Sequence, residues 1–88
     1  MNKEELIKVI ARHFGVNPHE VRQDKEDYDD EFWVNDQWIE VVSKETAIKN
    51  EQDLFGAMEG EDINDYITET NIGMYTYLLG SDYLFRLL

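Results

Sequence analysis

The stretch FWVNDQWIEVV, residues 32–42, constrains the fold most, because β-branched and aromatic residues stand on both sides of an Asn-Asp pair. Asn35 and Asp36 tolerate the left-handed conformation that a two-residue hairpin turn requires. With these residues in the turn, Trp33 lies opposite Trp38 on one face of the hairpin. The other face is formed by Phe32, Val34, Ile39 and Val41. A two-stranded ribbon is marginally stable alone, so we expect a helix to cover one side of it.

Helix signals precede the hairpin. Asn2 is a candidate N-cap with Glu5 three residues later, and apolar residues recur at helical spacing over residues 6–14. Gly15 follows as a candidate C-cap. The sequence therefore predicts a helix that ends at this glycine. Residues 16–21, VNPHEV, repeat the start signal with a proline at the first helical position and predict a single turn to about residue 22.

After the hairpin, Ser43 is a candidate N-cap for a helix that ends near Gly60, and Asp62 for a further helix. The apolar stripe of the first helix consists of Ala47, Ile48, Leu54, Phe55 and Met58. The face of the second consists of Ile63, Tyr66, Ile67 and Thr70. Residues 72–88, IGMYTYLLGSDYLFRLL, are interrupted by two glycines, and three possibilities stay open for them: one broken helix, two short helices, or partly strand.

These segments predict a small α+β protein with a single domain over residues 1–88. It is expected to contain an N-terminal helix, a two-stranded antiparallel β-hairpin and C-terminal helices. A chain of 88 residues with 42% hydrophobic residues can form a core without disulfides or metals and is not disordered by composition.

The chain is strongly acidic, with 20 acidic and 8 basic residues and a formal net charge of -12. Nucleic acids and anionic membranes attract basic surfaces, so this charge argues against direct binding of either and favours basic partners. Cysteine is absent, which excludes disulfides and thiolate catalysis, and charged residues interrupt every apolar stretch well short of the ~20 residues of a membrane span. We therefore expect a cytoplasmic protein.

The sequence contains no recognisable catalytic or metal-binding motif. A calcium loop that starts at Asp27 would place Phe32 at its sixth position and Trp38 at its twelfth, where glycine and glutamate are needed. His13 and His19 do not have the spacing of a helical zinc pair, and the first is expected to pack at the edge of the core. Both serines are interpreted as helix caps. We expect no enzymatic activity, no cofactor and no metal.

Carboxylates concentrate directly before and within the hairpin, where Lys25 is the one basic residue. They are Asp24, Glu26, Asp27, Asp29, Asp30, Glu31, Asp36 and Glu40. One interpretation is a solvated loop that protects the hairpin from edge pairing. The other is phosphate mimicry, because extended chain rises ~3.3 Å per residue, close to the ~3.4 Å between phosphates along one DNA strand. A second group, Glu59, Glu61, Asp62 and Asp65, either joins the same negative surface or serves for helix capping and solvation.

The aromatic residues also have two interpretations. Trp33 and Trp38 are either buried against a helix or exposed as the centre of an interface that is bordered by charge. The tail contains Tyr75, Tyr77, Tyr83 and Phe85. They are either core residues or, in the final segment DYLFRLL, part of a contact with a second subunit.

In size, charge, lack of cysteine and the run YDDEFWVNDQWIEVVSKETA, the chain resembles small acidic proteins of phages and other mobile elements. Among these are anti-CRISPR and antirestriction proteins that act as DNA mimics. The resemblance implies a non-enzymatic inhibitor in the cytoplasm of a bacterial host, which occupies the nucleic-acid-binding groove of a basic protein such as a CRISPR effector or a restriction enzyme. The alternative is a small acidic regulatory or structural phage protein that self-associates, for example as a homodimer, through its aromatic C-terminal segment.

Overall fold

A computed structural model of the chain describes residues 2–59 and 63–88, with only the backbone described for residues 55–59. In chain order its elements are helix α1 (Lys3–Phe14), a 3₁₀ turn (Pro18–Glu20), strands β1 (Val21–Arg22), β2 (Glu31–Val34) and β3 (Gln37–Ser43), helix α2 (Lys44–Glu59), a 3₁₀ turn (Ile63–Tyr66), and strands β4 (Asn71–Ile72), β5 (Tyr75–Tyr77) and β6 (Tyr83–Leu87). Within these ranges neither helix combines the length and the apolar composition needed to cross a membrane.

The strands form an antiparallel sheet of six in the order β1-β2-β3-β6-β5-β4. The pairing of β3 with β6 joins the N-terminal hairpin to the C-terminal strands, with a register that runs from Ile39↔Leu87 to Ser43↔Tyr83. The outer strands, β1 and β4, have only two residues each. Such short edge strands leave few unpaired backbone groups for pairing with another chain.

The prediction of a two-stranded hairpin followed by C-terminal helices is wrong. Asp62 lies outside the described residues, and the helix predicted after it is a 3₁₀ turn at Ile63–Tyr66 followed by extended chain. Residues 71–87 contain three strands, so the strand possibility is the correct one for the tail. Gly73 and Gly80 have φ values of 57° and 71° and occupy turns between these strands.

The strands of the tail could not be predicted from the sequence, because the sheet is covered on both faces. In β6 the side chain of Leu84 packs on one face, while Tyr83 and Phe85 pack on the other. A strand that is buried on both faces has a continuous apolar sequence instead of an alternating one, and periodicity cannot distinguish it from a short buried helix.

The predicted hairpin is confirmed. Asn35 has a φ of 54°, as the turn requires, and Trp33 lies opposite Trp38. The residues predicted for the apolar face, Phe32, Val34, Ile39 and Val41, are all at most 5% exposed.

Three of the four predicted helix starts are confirmed. The Asn2 side chain accepts a hydrogen bond from the Glu5 N–H at 2.8 Å, and α1 ends at Gly15 with a φ of 70°. Pro18 opens the predicted single turn. Ser43 Oγ accepts the N–H of Thr46 at 3.3 Å and caps α2.

Each helix covers a different face of the sheet. On the α1 face the core consists of Ile10, Ala11, Val21, Phe32, Val34, Ile39, Val41 and Leu78. On the α2 face it consists of Val42, Ala47, Ile63, Ile72, Tyr75 and Leu84. Residues that alternate along β3 therefore belong to different cores, which fixes the register of this strand.

The predicted apolar stripe of α2 is only partly correct. Ala47 is buried and Ile48 packs against the core, but Leu54 is 45% exposed. Gly60 and the side chains of Phe55 and Met58 lie outside the described residues. A carboxylate is buried on this helix instead, because Glu51 is only 4% exposed. Its Oε1 accepts the N–H of Met74 at 3.3 Å in the β4–β5 turn, whereas Oε2 is buried and has no hydrogen-bond partner in the described part of the chain.

The end of α1 holds the loop between β5 and β6. Arg12 Nη2 donates to the Leu79 carbonyl oxygen at 3.1 Å, and the Leu79 N–H donates to His13 Nδ1 at 2.9 Å. The His13 ring makes edge contacts with Phe14 and Phe85, at centroid distances of 5.0 and 5.1 Å. The expectation that this histidine packs at the edge of the core is therefore confirmed, and burial lowers the pKa of its imidazole.

Two glycines with positive φ give a matched test of the Glu51 packing. A Cβ at Gly73 would lie 2.7 Å from the Glu51 carboxyl carbon, whereas a Cβ at Gly15 would meet nothing within 4 Å. Gly15→Ala should cost about 1 kcal/mol of unfolding free energy through backbone strain alone. Gly73→Ala should cost about 2 to 4 kcal/mol, because overpacking adds to the strain. Urea denaturation of both variants measures the difference; equal losses would contradict the packing role of Glu51.

His13 generates a pH-dependent prediction. Folding lowers the pKa of its imidazole, so as pH falls the imidazole is protonated in the unfolded chain before it is protonated in the folded one. The contribution of His13 to stability is therefore complete above pH about 6.5 and is lost as pH falls through the pKa of the folded state. Protonation of Nδ1 would also remove the acceptor for Leu79. Urea midpoints followed downward from neutral pH should fall less steeply for His13→Gln than for wild type. His19, which is exposed, provides the control: His19→Gln should keep the wild-type slope, and a parallel slope for both variants would argue against this role of His13.

Candidate partner-binding surface

The two tryptophans lie on the α2 face of the sheet, beside the area that α2 covers. Trp33 and Trp38 stack with their ring centroids 5.7 Å apart and their planes 7° from parallel. Neither belongs to the α2-face core, and Trp38 is 36% exposed. Trp33 is half-buried, and its Nε1–H is buried without a hydrogen-bond partner among the described residues. A buried unpaired donor normally lowers the free energy of unfolding, so Trp33 Nε1 is expected to reduce the stability of the fold.

An arginine occupies the outer side of the tryptophan stack. Arg22 on β1 lies directly opposite Trp33, and its guanidinium carbon is 5.4 Å from the centroid of the Trp33 ring. The same guanidinium donates to Asp24 at 2.6 Å. Because β1 and β3 flank β2 on opposite sides, Trp33 lies between Arg22 and Trp38.

Two carboxylates stand next to the tryptophans on the same face. Glu31 lies directly opposite Glu40 in the β2–β3 pair, an arrangement in which like charges repel. Glu40 is largely occupied, because its Oε1 accepts from the Tyr75 hydroxyl at 2.6 Å and from Arg86 Nε at 2.7 Å. Its side chain is 16% exposed. Glu40 therefore stabilises the sheet through these two hydrogen bonds and is only partly accessible to a partner.

The same contacts perturb the pKa values of the partners of Glu40. Burial and the hydrogen bond to Glu40 raise the pKa of the Tyr75 hydroxyl, which therefore stays protonated as a donor. The hydrogen bond to Glu40 also raises the pKa of Arg86, whose guanidinium lies 5.6 Å from the centroid of the Tyr75 ring. Sequence reasoning missed this cluster, because 46 residues separate Arg86 from Glu40 and no local pattern connects them.

The acidic loop, residues 23–30, is ordered by its own hydrogen bonds. Gln23 Nε2 donates to the carbonyl oxygens of Tyr28, Asp29 and Glu31 at 2.9 to 3.1 Å. An Asp27 carboxylate oxygen accepts the N–H of Asp24 at 2.9 Å, and a Glu31 carboxylate oxygen accepts the N–H of Tyr28 at 3.1 Å. Two of the predicted binding carboxylates are therefore engaged in holding the loop.

The predicted carboxylates do not form one extended row. Residues 25–26 and 29–30 form turns, so the strand spacing that resembles phosphate spacing does not apply to the loop. Asp36 lies in the hairpin turn, at the opposite end of β2 from Glu31. The tryptophan pair lies between these two negatively charged ends. Glu26, Asp29 and Asp36 are exposed, and Asp30 is half-buried.

The second predicted acidic group can be placed only in part. Asp65 is exposed in the 3₁₀ turn at Ile63–Tyr66. Glu61, Asp62 and the side chain of Glu59 lie outside the described residues. Among the described residues, no three histidine or acidic side chains lie close enough together to hold a metal ion.

An open cleft of about 590 Å³ lies at the other end of β3 and β6. Its lining includes Lys44, Glu69, Ser81 and Asp82. Ser81 Oγ accepts the N–H of Tyr83 at 3.1 Å, so this hydroxyl stabilises the start of strand β6, and its interpretation as a helix cap is wrong.

Comparison of the chain with known protein families, with curated proteins and with solved structures gives no match.

The opposed carboxylates provide a matched test of which one is structural. Glu40→Ala removes the acceptor of Tyr75 and Arg86 and should lower the unfolding free energy by about 2 kcal/mol. Glu31→Ala removes an exposed hydrogen bond from the Tyr28 N–H but relieves the repulsion across the strand pair, so it should change the unfolding free energy by no more than about 0.5 kcal/mol. Thermal or urea denaturation measures both; a larger loss for Glu31→Ala would refute this assignment.

Proposed function

We propose that the chain is a non-catalytic binding protein that inhibits a basic, nucleic-acid-binding protein by occupying its binding groove. The observation that carries the proposal is the position of Trp33 and Trp38: a stacked, partly exposed indole pair on the part of the sheet beside α2, with carboxylates at both ends. We call this the tryptophan surface: the two indoles with Glu31 and Glu40 beside them, the acidic loop at one end and Asp36 at the other.

Charge and aromatic area have separate roles in this proposal. A net charge of -12 attracts a basic partner over several ångströms and accelerates association in a salt-dependent manner. Indole rings contribute contact area that salt does not screen and are frequent at the centre of interfaces. A groove that neutralises phosphates presents lysines and arginines, which an ordered array of carboxylates can engage. Two of these carboxylates, Asp27 and Glu31, are held by the loop's own hydrogen bonds, which reduces the entropy lost on binding.

The resemblance to anti-CRISPR and antirestriction proteins supplies the class of target. On this proposal the protein acts in the bacterial cytoplasm and competes with DNA, or with guide-paired target, for a CRISPR effector or a restriction enzyme. The loop carboxylates do not follow the spacing of DNA phosphates. The protein would therefore imitate DNA through negative charge placed around an aromatic centre, not through a row of evenly spaced charges.

Self-association is the second candidate, and exposed apolar side chains near the C-terminal strands favour it. Met74 is 70% and Leu87 is 60% exposed, and both line an open groove of about 340 Å³ with Thr76 and Phe85. Removal of residues 83–88 does not test this idea, because it deletes β6 from the middle of the sheet. The double variant Met74→Ser and Leu87→Ser leaves the sheet intact. Light scattering after size exclusion should detect an oligomer in wild type, and not in this variant, if self-association is the function.

The acidic surface can be tested with variants matched in charge. In the first, Glu26→Gln, Asp29→Asn and Asp36→Asn change exposed carboxylates around the tryptophan surface. In the control, Glu4→Gln, Glu45→Gln and Asp53→Asn change exposed carboxylates on the helices. Both variants lose three negative charges. We expect the first to reduce binding to the partner at least about tenfold, and the control to reduce it only to the extent of general steering.

The measurement begins with capture of partners from a host lysate, with and without excess duplex DNA. Wild type and the control variant should each capture a basic nucleic-acid-binding protein, and excess DNA should release it. The surface variant should fail to capture this protein. Equal recovery by both variants, or partners that do not bind nucleic acid, would remove the mimicry proposal and leave the carboxylates as a solvated loop.

A further inference from the structure

We infer that the tryptophan surface recognises an arginine side chain of the partner, which stacks on the outward part of the Trp38 ring. This inference rests on the proposed function and makes it specific, because it selects arginine over lysine among the cations that a basic groove presents.

The protein already contains this kind of contact twice. The guanidinium of Arg22 lies against Trp33 and donates to Asp24. The guanidinium of Arg86 lies against Tyr75 and donates to Glu40. In both cases an aromatic ring provides a face for the planar cation, and a carboxylate accepts its hydrogen bond. The α2 face of the sheet is therefore chemically suited to guanidinium groups.

Trp38 is the end of the stack that remains accessible. Trp33 has Arg22 on one side and Trp38 on the other. Trp38 is 36% exposed, and in the described part of the chain the cations that lie over aromatic rings contact Trp33 and Tyr75. The next strand, β6, is followed by Leu88, whose N–H donates to the Trp38 carbonyl oxygen at 3.0 Å. This bond fixes the backbone at Trp38, and the ring is held by Trp33, so the indole is presented in one orientation.

The charge around Trp38 favours a cation as the occupant. Glu31 lies next to the indole pair on the same face and forms no ion pair among the described residues, so its negative charge favours a cation, whereas Glu40 is already bound by Arg86. The phosphates of a nucleic acid would be repelled by Glu31 and by the net charge of -12, which argues against base stacking as the use of the indole. A second copy of the chain would bring the same negative charge.

Arginine fits this site better than lysine for physical reasons. The guanidinium is planar, is weakly hydrated and stacks on aromatic faces while its N–H groups donate sideways to carboxylates. The lysine ammonium is a compact ion that holds its water strongly, so it loses more on contact with a ring. At a partly exposed indole a cation–π contact contributes about two- to fivefold in affinity, which is the preference expected when lysine keeps its water and does not stack on the ring.

The test compares two labelled peptides, nona-arginine and nona-lysine, in binding to the full chain by fluorescence anisotropy at physiological salt. The peptides carry the same charge, so net attraction contributes equally. Wild type should bind the arginine peptide about two- to fivefold more tightly. Trp38→Leu should abolish this preference and keep the charge-driven binding. Tyr66→Leu, which changes an aromatic side chain of similar exposure (39%) outside the tryptophan surface, is the control and should keep the preference.

A second measurement on wild type does not depend on the folding of a variant. In the NMR spectrum of the isotope-labelled arginine peptide, stacking on an indole should shift the side-chain δ protons upfield upon binding, and the ε protons of the lysine peptide should stay near their free positions. Equal affinities for the two peptides with no upfield shift would overturn the arginine inference and leave the proposed function standing. A preference that Trp38→Leu keeps as fully as the Tyr66→Leu control would also overturn it. Failure of both peptides to bind would instead contradict the proposed function.

Discussion

The pairing of β3 with β6 is the interaction on which the rest of the structure depends. It joins two strands that are 40 or more residues apart in sequence, and five pairs of residues, from Ile39↔Leu87 to Ser43↔Tyr83, hold it in register. Neither the N-terminal hairpin nor the short C-terminal strands would be stable alone in water. The pairing creates a sheet wide enough to bury side chains on both faces, and each helix then packs on a different face. Because its contacts are more distant in sequence than those of the other strand pairs, this pairing has the largest loop-closure entropy cost in the sheet.

The tryptophan surface is a consequence of this division between the helices. The apolar contacts of α2 lie at Val42, Ile72, Tyr75 and Leu84, which belong to β3, β4, β5 and β6. Among the described side chains, these apolar contacts of α2 do not extend to β1 or β2, where Arg22, Glu31 and Trp33 lie on the α2 face. The hairpin keeps its apolar residues for the α1 face and presents aromatic and charged ones on the other. One face of the hairpin thus supports the fold, while the other is available for a partner.

Sequence reasoning was successful where the signal is local. The turn at Asn35, the tryptophan pair and the caps at Asn2 and Ser43 each depend on neighbours within a few residues, and all are correct. The sheet in the C-terminal half was missed because burial on both faces removes the alternation that identifies a strand. The surface was predicted in its composition but not in its arrangement. Nothing local shows that Glu40 is bound by Tyr75 and Arg86, or that the acidic loop is folded around Gln23.

The two arginines on the α2 face explain how the chain tolerates its carboxylates without losing the negative surface. Arg22 and Arg86 each neutralise one carboxylate and rest on an aromatic ring, which reduces repulsion where Asp24 and Glu40 approach the sheet. Glu26, Asp29 and Asp36 remain exposed away from these pairs. The charge that would destabilise the sheet is therefore compensated near the backbone, and the charge that can attract a partner is carried by loops and turns, where water screens its self-repulsion. Because the paired carboxylates lie near the strands and the unpaired ones lie in loops and turns, the β1–β2 side of the sheet can be both stable and strongly acidic.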